Sequence, residues 1–82
     1  MMTVDRIKQG ITVDGSGIYF DYHDKECGID PNVQNGVWSF DIWFGEVSKQ
    51  CRTIDETVHQ KIFDGKSLVE LVEENAVDVW FG

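Results

Sequence analysis

The sequence predicts a small α+β fold: an antiparallel β-sheet of four or five strands with one or two short C-terminal helices packed on one face. Three observations support it. Short apolar segments alternate with polar residues, glycine or asparagine separates these segments, and the hydrophobic spacing changes after Thr53. A chain of 82 residues has room for one hydrophobic core. We therefore expect a single domain over residues 1–82.

The first predicted element is a β-hairpin. Residues 11–13 and 18–22 are apolar runs separated by a segment that begins with Asp14-Gly15. An Asp-Gly pair between two such runs is a strong hairpin signal, because glycine readily adopts the positive φ of a tight turn. Every second residue from position 18 to 22 is then expected to face the core.

A polar loop and a meander are predicted next. Residues 23–36 are interrupted by Gly28, by a proline and by an Asn-Gly pair, which favour turns, so this segment is predicted to be a loop. The clearest strand follows at 37–44, and a short return strand is expected at 49–53. The residues of the clear strand that are expected to face the helices are Trp38, Phe40, Ile42 and Phe44.

Two helix starts are predicted towards the C-terminal end. Thr53 and Ser67 are each followed three residues later by a glutamate, the pattern of a capping box. The apolar spacing after Thr53 suits a helix but also fits a strand, whereas the helix at 67–75 has a clear start and apolar stripe. A strand-like alternation at 77–81 follows.

The charge of the chain limits its direct partners. Fifteen acidic and seven basic residues give a formal net charge of −8. This charge repels phosphate backbones and anionic lipids, so direct binding to nucleic acid or to a membrane is not expected. Charged residues or glycine also interrupt every apolar run well before the roughly 18 residues that a membrane span requires.

The location is expected to be cytoplasmic. The first ten residues include Asp5, Arg6 and Lys8 and have no apolar run of signal-peptide length. We therefore expect Cys27 and Cys51 to be reduced, although the sequence leaves open whether they pair.

The sequence contains no convincing cofactor or metal motif, and we expect no cofactor. Gly65-Lys66 precedes a helix, but the earlier glycine of a phosphate-binding loop is replaced by Gln60. The two histidines and two cysteines lack the tight pairing of a structural zinc site. The acidic segment from Asp24 to Asn35 lacks the glycine and the glutamate of a calcium loop.

A catalytic site is not expected either. A cysteine–histidine nucleophile is formally possible, but the acidic neighbours of Cys27 favour its neutral thiol. For Cys51, no third group that would orient the base can be named. A small enzyme with an unidentified site is kept as the third hypothesis.

The leading hypothesis comes from the other face of the sheet. If Phe40 and its neighbours face the helices, Tyr19, Val37, Trp43 and Trp80 fall on the opposite side. A patch with large aromatic residues usually marks an interaction surface. We therefore predict a non-enzymatic domain that binds a protein partner, or a second copy of itself, through these residues. A one-residue slip would exchange the faces, so burial inside the monomer is the alternative.

A rival hypothesis uses the acidic residues. A protein that imitates nucleic acid would array carboxylates on one surface and occupy the basic groove of a DNA- or RNA-handling protein. The residues predicted to form such a surface are Asp21, Asp24, Glu26, Asp30, Glu70, Glu73 and Glu74.

Overall fold

The computed structural model describes residues 2–82, which form a five-stranded antiparallel sheet and three short helices. The elements are α1 (Val4–Thr12), β1 (Ile18–Tyr22), β2 (Lys25–Gln34), β3 (Val37–Phe44), β4 (Val47–Cys51), α2 (Ile54–Val58), α3 (Leu68–Glu73) and β5 (Trp80–Phe81). The strands lie in the order β4-β3-β2-β1-β5. The predicted α+β class with an antiparallel sheet is confirmed.

Two-residue turns connect the first four strands into a meander. His23 and Asp24 have φ angles of 51° and 62° between β1 and β2, and Asn35 and Gly36 have 54° and 77° between β2 and β3. Positive φ at both central residues is typical of a type I′ turn, whose twist matches that of the strands it joins. Gly45, with a φ of 59°, begins the third turn.

The predicted polar loop at 23–36 is wrong, because β2 occupies most of this segment and is the central strand of the sheet. Its apolar positions Cys27 and Ile29 are buried in the core. Pro31 fits because β1 begins at Ile18, opposite Ile29, so the far end of β2 pairs with β3 alone. A proline is tolerated in a strand that has one unpaired edge.

The predicted first strand at 11–13 is also wrong, because residues 11 and 12 form the last positions of α1, a helix that was not predicted from the sequence. The hydroxyl of Thr3 accepts a hydrogen bond of 3.1 Å from the backbone N–H of Arg6 and so caps α1. Ile7 and Ile11, one helical turn apart, are fully buried. The short apolar run before Asp14-Gly15 is therefore the end of an amphipathic helix.

Both helix starts predicted from the capping pattern are present. The hydroxyl of Thr53 accepts a 3.1 Å hydrogen bond from the Glu56 N–H. Ser67 and Glu70 form a complete capping box with bonds of 3.2 and 3.1 Å. The return strand β4 starts two residues earlier than expected, and β5 is shorter than the predicted 77–81 segment.

The three helices contribute to one core on one side of the sheet. Phe63, between α2 and α3, is fully buried, and its ring centroid lies 5.2 Å from that of Phe20 and 5.9 Å from that of Phe44. Within residues 2–82, none of the helices is long and apolar enough to cross a membrane. The buried apolar residues are Ile7, Ile11, Ile18, Phe20, Cys27, Ile29, Phe40, Ile42, Phe44, Cys51, Val58, Phe63, Leu68 and Leu71.

Candidate interaction site

The face of the sheet opposite the helices is the candidate site, and we call it the open face. Directly paired residues of antiparallel strands point to the same side, so the register assigns each position. Four of these strand positions carry carboxylates and none carries lysine or arginine. The positions are Tyr19, Asp21, Glu26, Gly28, Asp30, Asn32, Gln34, Val37, Ser39, Asp41, Trp43, Ser48, Gln50 and Trp80.

The predicted aromatic residues meet in one cross-strand row, the aromatic row, formed by Trp80, Tyr19, Gly28 and Trp43. The ring centroids of Tyr19 and Trp43 lie 6.0 Å apart with the planes tilted by 52°, a favourable arrangement for two aromatic rings. A Cβ on Gly28 would lie 2.5 Å from the Trp43 indole. The glycine therefore gives the indole room to lie across β2. Trp80, on the edge strand, is 50% exposed.

Tyr19 is held in place at its hydroxyl and at its ring. The hydroxyl donates a 3.1 Å hydrogen bond to Oδ1 of Asp30, and this bond to a carboxylate raises the pKa of Tyr19. The backbone N–H of Gly82 donates a 2.9 Å hydrogen bond to the carbonyl of Gly17. That bond brings Gly82 so close to the Tyr19 ring that a Cβ there would overlap it.

One pair of acidic residues lies on each side of the aromatic row. Asp21 is the direct cross-strand partner of Glu26, and Asp30 is the partner of Asp41. Side chains at directly opposed positions have Cβ atoms roughly 5 Å apart, and like charges there destabilise the sheet. Within residues 2–82, none of the four carboxylates forms an ion pair with a basic side chain. Unfavourable charge pairs therefore accumulate on this face.

A cleft of about 360 Å³ lies between the aromatic row and the Asp21–Glu26 pair. Its volume is near the lower end of the roughly 300–1,000 Å³ typical of small-molecule sites. It is suited to one side chain or one small molecule. The residues that line it are Tyr19, Phe20, Asp21, Glu26, Cys27, Trp43 and Trp80.

Val37 lies on the open face but not beside the other predicted interaction residues. It pairs with Gln34 next to the β2–β3 turn. Trp43 lies six positions further along β3, a distance of about 20 Å along an extended strand. Trp38 has the side-chain direction of Phe40, as predicted, but is still 40% exposed at the end of the sheet. The predicted patch is thus an aromatic row plus a separate valine.

The acidic residues proposed for nucleic-acid mimicry are divided between different parts of the molecule. Asp21, Glu26 and Asp30 lie on the open face, where Asp41 joins them. Asp24 lies in the turn between β1 and β2. The remaining three residues lie on or directly after α3, on the helical side of the sheet.

Two of the three acidic side chains near α3 are already paired. The Nζ atom of Lys61 lies 2.7 Å from Glu70, and that of Lys66 lies 2.5 Å from Glu74. The hydrogen bond from Lys61 lowers the pKa of Glu70, and the bond to Glu74 raises the pKa of Lys66. Glu73 is exposed. This segment is therefore a largely neutralised surface.

Both cysteines are buried free thiols, which answers the question of pairing that the sequence left open. Cys27 is 2% exposed, and its burial raises the pKa of the thiol to about 11. Burial also raises the pKa of Cys51. A nucleophilic cysteine requires the opposite shift, because the thiolate is the reactive form.

The histidines are occupied by local contacts. The Nδ1 atom of His23 lies 2.5 Å from Asp64 Oδ2, and its ring stacks on Tyr22 with centroids 3.8 Å apart. The Nδ1 atom of His59 lies 2.7 Å from the backbone oxygen of Asp55. Within the described chain, residues 2–82, no group of three histidine, cysteine, aspartate or glutamate residues could hold a metal ion.

The role of Gly28 and the pairing of Asp21 with Glu26 were not predicted, because both depend on β2, which was expected to be a loop. A signal was present, since apolar Cys27 and Ile29 alternate with polar residues or glycine on either side. Comparison of the chain with protein-family models, with curated proteins and with solved structures found no match.

Proposed function

We propose that this protein is a non-enzymatic interaction domain that binds a positively charged partner protein through the open face. One observation carries the proposal: an aromatic row lies between two pairs of carboxylates, and no strand position of that face carries a basic residue. Tryptophan and tyrosine are enriched among the residues that dominate binding energy at protein interfaces. Complementary charge adds selectivity and accelerates association.

The charges favour a different protein over a second copy as the partner. Two copies joined through their open faces would bring the same carboxylates together, and such like-charge contacts cost on the order of several kcal/mol. The formal charge of −8 adds long-range repulsion between two copies of the chain. The same charge repels nucleic acids and anionic membranes. Two buried free thiols support a reducing compartment, and we propose a cytoplasmic location.

The acidic mimic of nucleic acid is the alternative. The carboxylate pairs of the open face favour it, because they could meet a basic groove in place of phosphates. The acidic residues near α3 do not add to that surface, and the aromatic row has no counterpart in a phosphate backbone. An enzyme with a cysteine nucleophile has the least support, because burial raises the pKa of both thiols and so disfavours the reactive thiolate.

The test compares two double variants that remove the same charge from different places. Asp21→Asn/Glu26→Gln changes the open face, and Asp14→Asn/Glu73→Gln changes exposed residues elsewhere. Each is titrated against a fluorescently labelled peptide rich in arginine and lysine, and the dissociation constant is read from fluorescence anisotropy. We expect the open-face variant to bind about tenfold more weakly than the control variant, since a local contact outweighs net charge.

Equally weakened peptide binding in the two double variants would show that only net charge matters and would overturn the proposal.

Light scattering of the chain alone tests whether the partner is a second copy or a different protein. We expect the mass of one chain at micromolar concentration. A dimer that dissociates in Trp43→Ala would instead support self-association through the aromatic row.

A further inference from the structure

Building on the proposed function, we infer that the cleft beside the aromatic row receives one arginine side chain of the partner. The cleft has an aromatic side, formed by Tyr19, Trp43 and Trp80, and an acidic side, formed by Asp21 and Glu26. An arginine side chain has the matching chemistry, because it carries an apolar stem and a planar cationic head.

The aromatic side of the cleft suits a guanidinium group. Cations are attracted to the faces of aromatic rings, most strongly to tryptophan, and a planar guanidinium also stacks on them. The contact between Tyr19 and Trp43 holds these two rings together over the sheet. Trp80 is half exposed on the edge strand, so a ligand can cover it without displacing another part of the chain.

The acidic side of the cleft lacks a counter-charge of its own. Asp21 and Glu26 are directly opposed across β1 and β2, and neither is paired with a basic residue within residues 2–82. A cation bound beside them would convert a repulsive pair into two attractive contacts. The arrangement is unfavourable in the free protein and favourable in the complex, as is common at functional sites.

Two of the chain's own cations, Lys25 and Arg6, contact aromatic rings on the helical side of the sheet. The Nζ atom of Lys25, adjacent to Glu26, lies 5.0 Å from the ring centroid of Phe44. The guanidinium of Arg6 lies 4.7 Å from the ring centroid of Phe81. Both rings belong to the face that packs against the helices, so neither cation fills the cleft.

Arginine is favoured over lysine by the number and geometry of its donors. The guanidinium presents five N–H donors in a rigid plane and can engage two carboxylates while it stacks on a ring. It is also less strongly hydrated than an ammonium group, so its transfer into an aromatic cleft is less unfavourable. A lysine side chain offers one point charge and no planar surface.

The experiment uses capped pentapeptides, Gly-Ser-X-Ser-Gly, in which X is arginine, citrulline or lysine. Citrulline has the shape of arginine without its charge. The readout is the indole N–H signals of the three tryptophans in NMR titrations with the full chain. Trp38 is an internal control, because its side chain points to the helical side of the sheet.

We expect the arginine peptide to shift the indole signals of Trp43 and Trp80 and to leave Trp38 unchanged. The citrulline peptide should require at least about tenfold higher concentration for the same shift, and the lysine peptide should fall between them. Glu26→Gln, which preserves the side-chain shape, should weaken arginine binding about tenfold. Glu73→Gln, a change outside the cleft, should leave it unchanged.

Two other outcomes would each overturn the inference, and they are distinguishable. If the basic peptide of the first experiment binds the open face but arginine and citrulline pentapeptides behave alike, the cleft assignment fails and the proposed function stands. If neither the basic peptide nor the arginine pentapeptide affects the open face, both fail.

Discussion

The indole of Trp43 lies across Gly28 on the neighbouring strand, in the space that any other residue would fill with its own side chain. The same space is bounded on β1 by the backbone carbonyl oxygen of Ile18, which a Cβ on Gly28 would approach to 2.5 Å. The aromatic row therefore depends on a residue that has no side chain.

Replacing Gly28 by alanine is expected to destabilise the fold by about 1–3 kcal/mol, because the new methyl group meets both a ring and a backbone atom. Urea denaturation followed by tryptophan fluorescence measures the change. Ser48→Ala, in the same cross-strand row on an exposed edge strand, is the control and should stay within about 0.5 kcal/mol of the wild type. A Gly28→Ala variant as stable as the control would contradict the close approach.

The Asp21–Glu26 pair is expected to be repulsive in the free protein. A double-mutant cycle with Asp21→Asn and Glu26→Gln isolates the coupling between them. Either substitution alone should raise the free energy of unfolding by roughly 0.2–1 kcal/mol, and the second should add less, because the repulsion has already gone. Additive effects at low salt would show that the two carboxylates do not interact.

Tyr19 is expected to ionise at a higher pH than an unperturbed tyrosine, because its hydroxyl donates to the Asp30 carboxylate. In Asp30→Asn, the pKa of Tyr19 should fall towards its ordinary value. Absorbance at alkaline pH follows the titration of the phenol, and Tyr22→Phe leaves Tyr19 as the only tyrosine that contributes. An unchanged midpoint in Asp30→Asn would rule out the hydrogen bond as the cause.

The buried thiol of Cys27 makes the free energy of unfolding depend on pH in the alkaline range. Its pKa is raised from 9.0 to about 11 by burial, so the folded chain holds the proton more tightly than the unfolded chain. This contribution to stability is complete below pH 9 and is lost as the pH rises towards 11, because the unfolded thiol ionises first. One thiol can change the free energy of unfolding by at most about 1.4 kcal/mol per pH unit.

The difference between the wild type and Cys27→Ala in urea denaturation at several alkaline pH values isolates this slope from the titration of other groups. Iodoacetamide gives an independent measure, since alkylation of the folded chain should be slow at neutral pH and fast in urea. Rapid alkylation of Cys27 in the folded state would contradict its burial.

The sequence predicted the elements whose signals are local. The alternation in β3 determines which of its residues face the core, and the Ser67–Glu70 pattern contains its own hydrogen-bond partners. The inward positions of β1 follow from the same periodicity. The side on which Tyr19, Trp43 and Trp80 lie was predictable for this reason, because side-chain direction alternates along each strand.

The wrong predictions concern segments whose local sequence pattern fits more than one structure. Asp14-Gly15 suits a hairpin, but here it follows a helix whose apolar spacing is visible only when Ile7 is considered with Ile11. Pro31 normally argues against a strand, but here one side of its strand is unpaired. The distance of Val37 from the aromatic row depends on strand register, which single-strand patterns do not specify.

Tyr19 and Trp80 are neighbours on the sheet although about 60 positions separate them in the chain, so their contact closes a long loop. The meander can form from short-range hairpins before this happens, and the edge strand is expected to dock late during folding. Only the fully folded chain then has the complete aromatic side of the cleft, because Trp80 is the one lining residue that β5 contributes. A ligand that contacts Trp80 would stabilise β5 in its docked position and slow the detachment of this strand from the sheet.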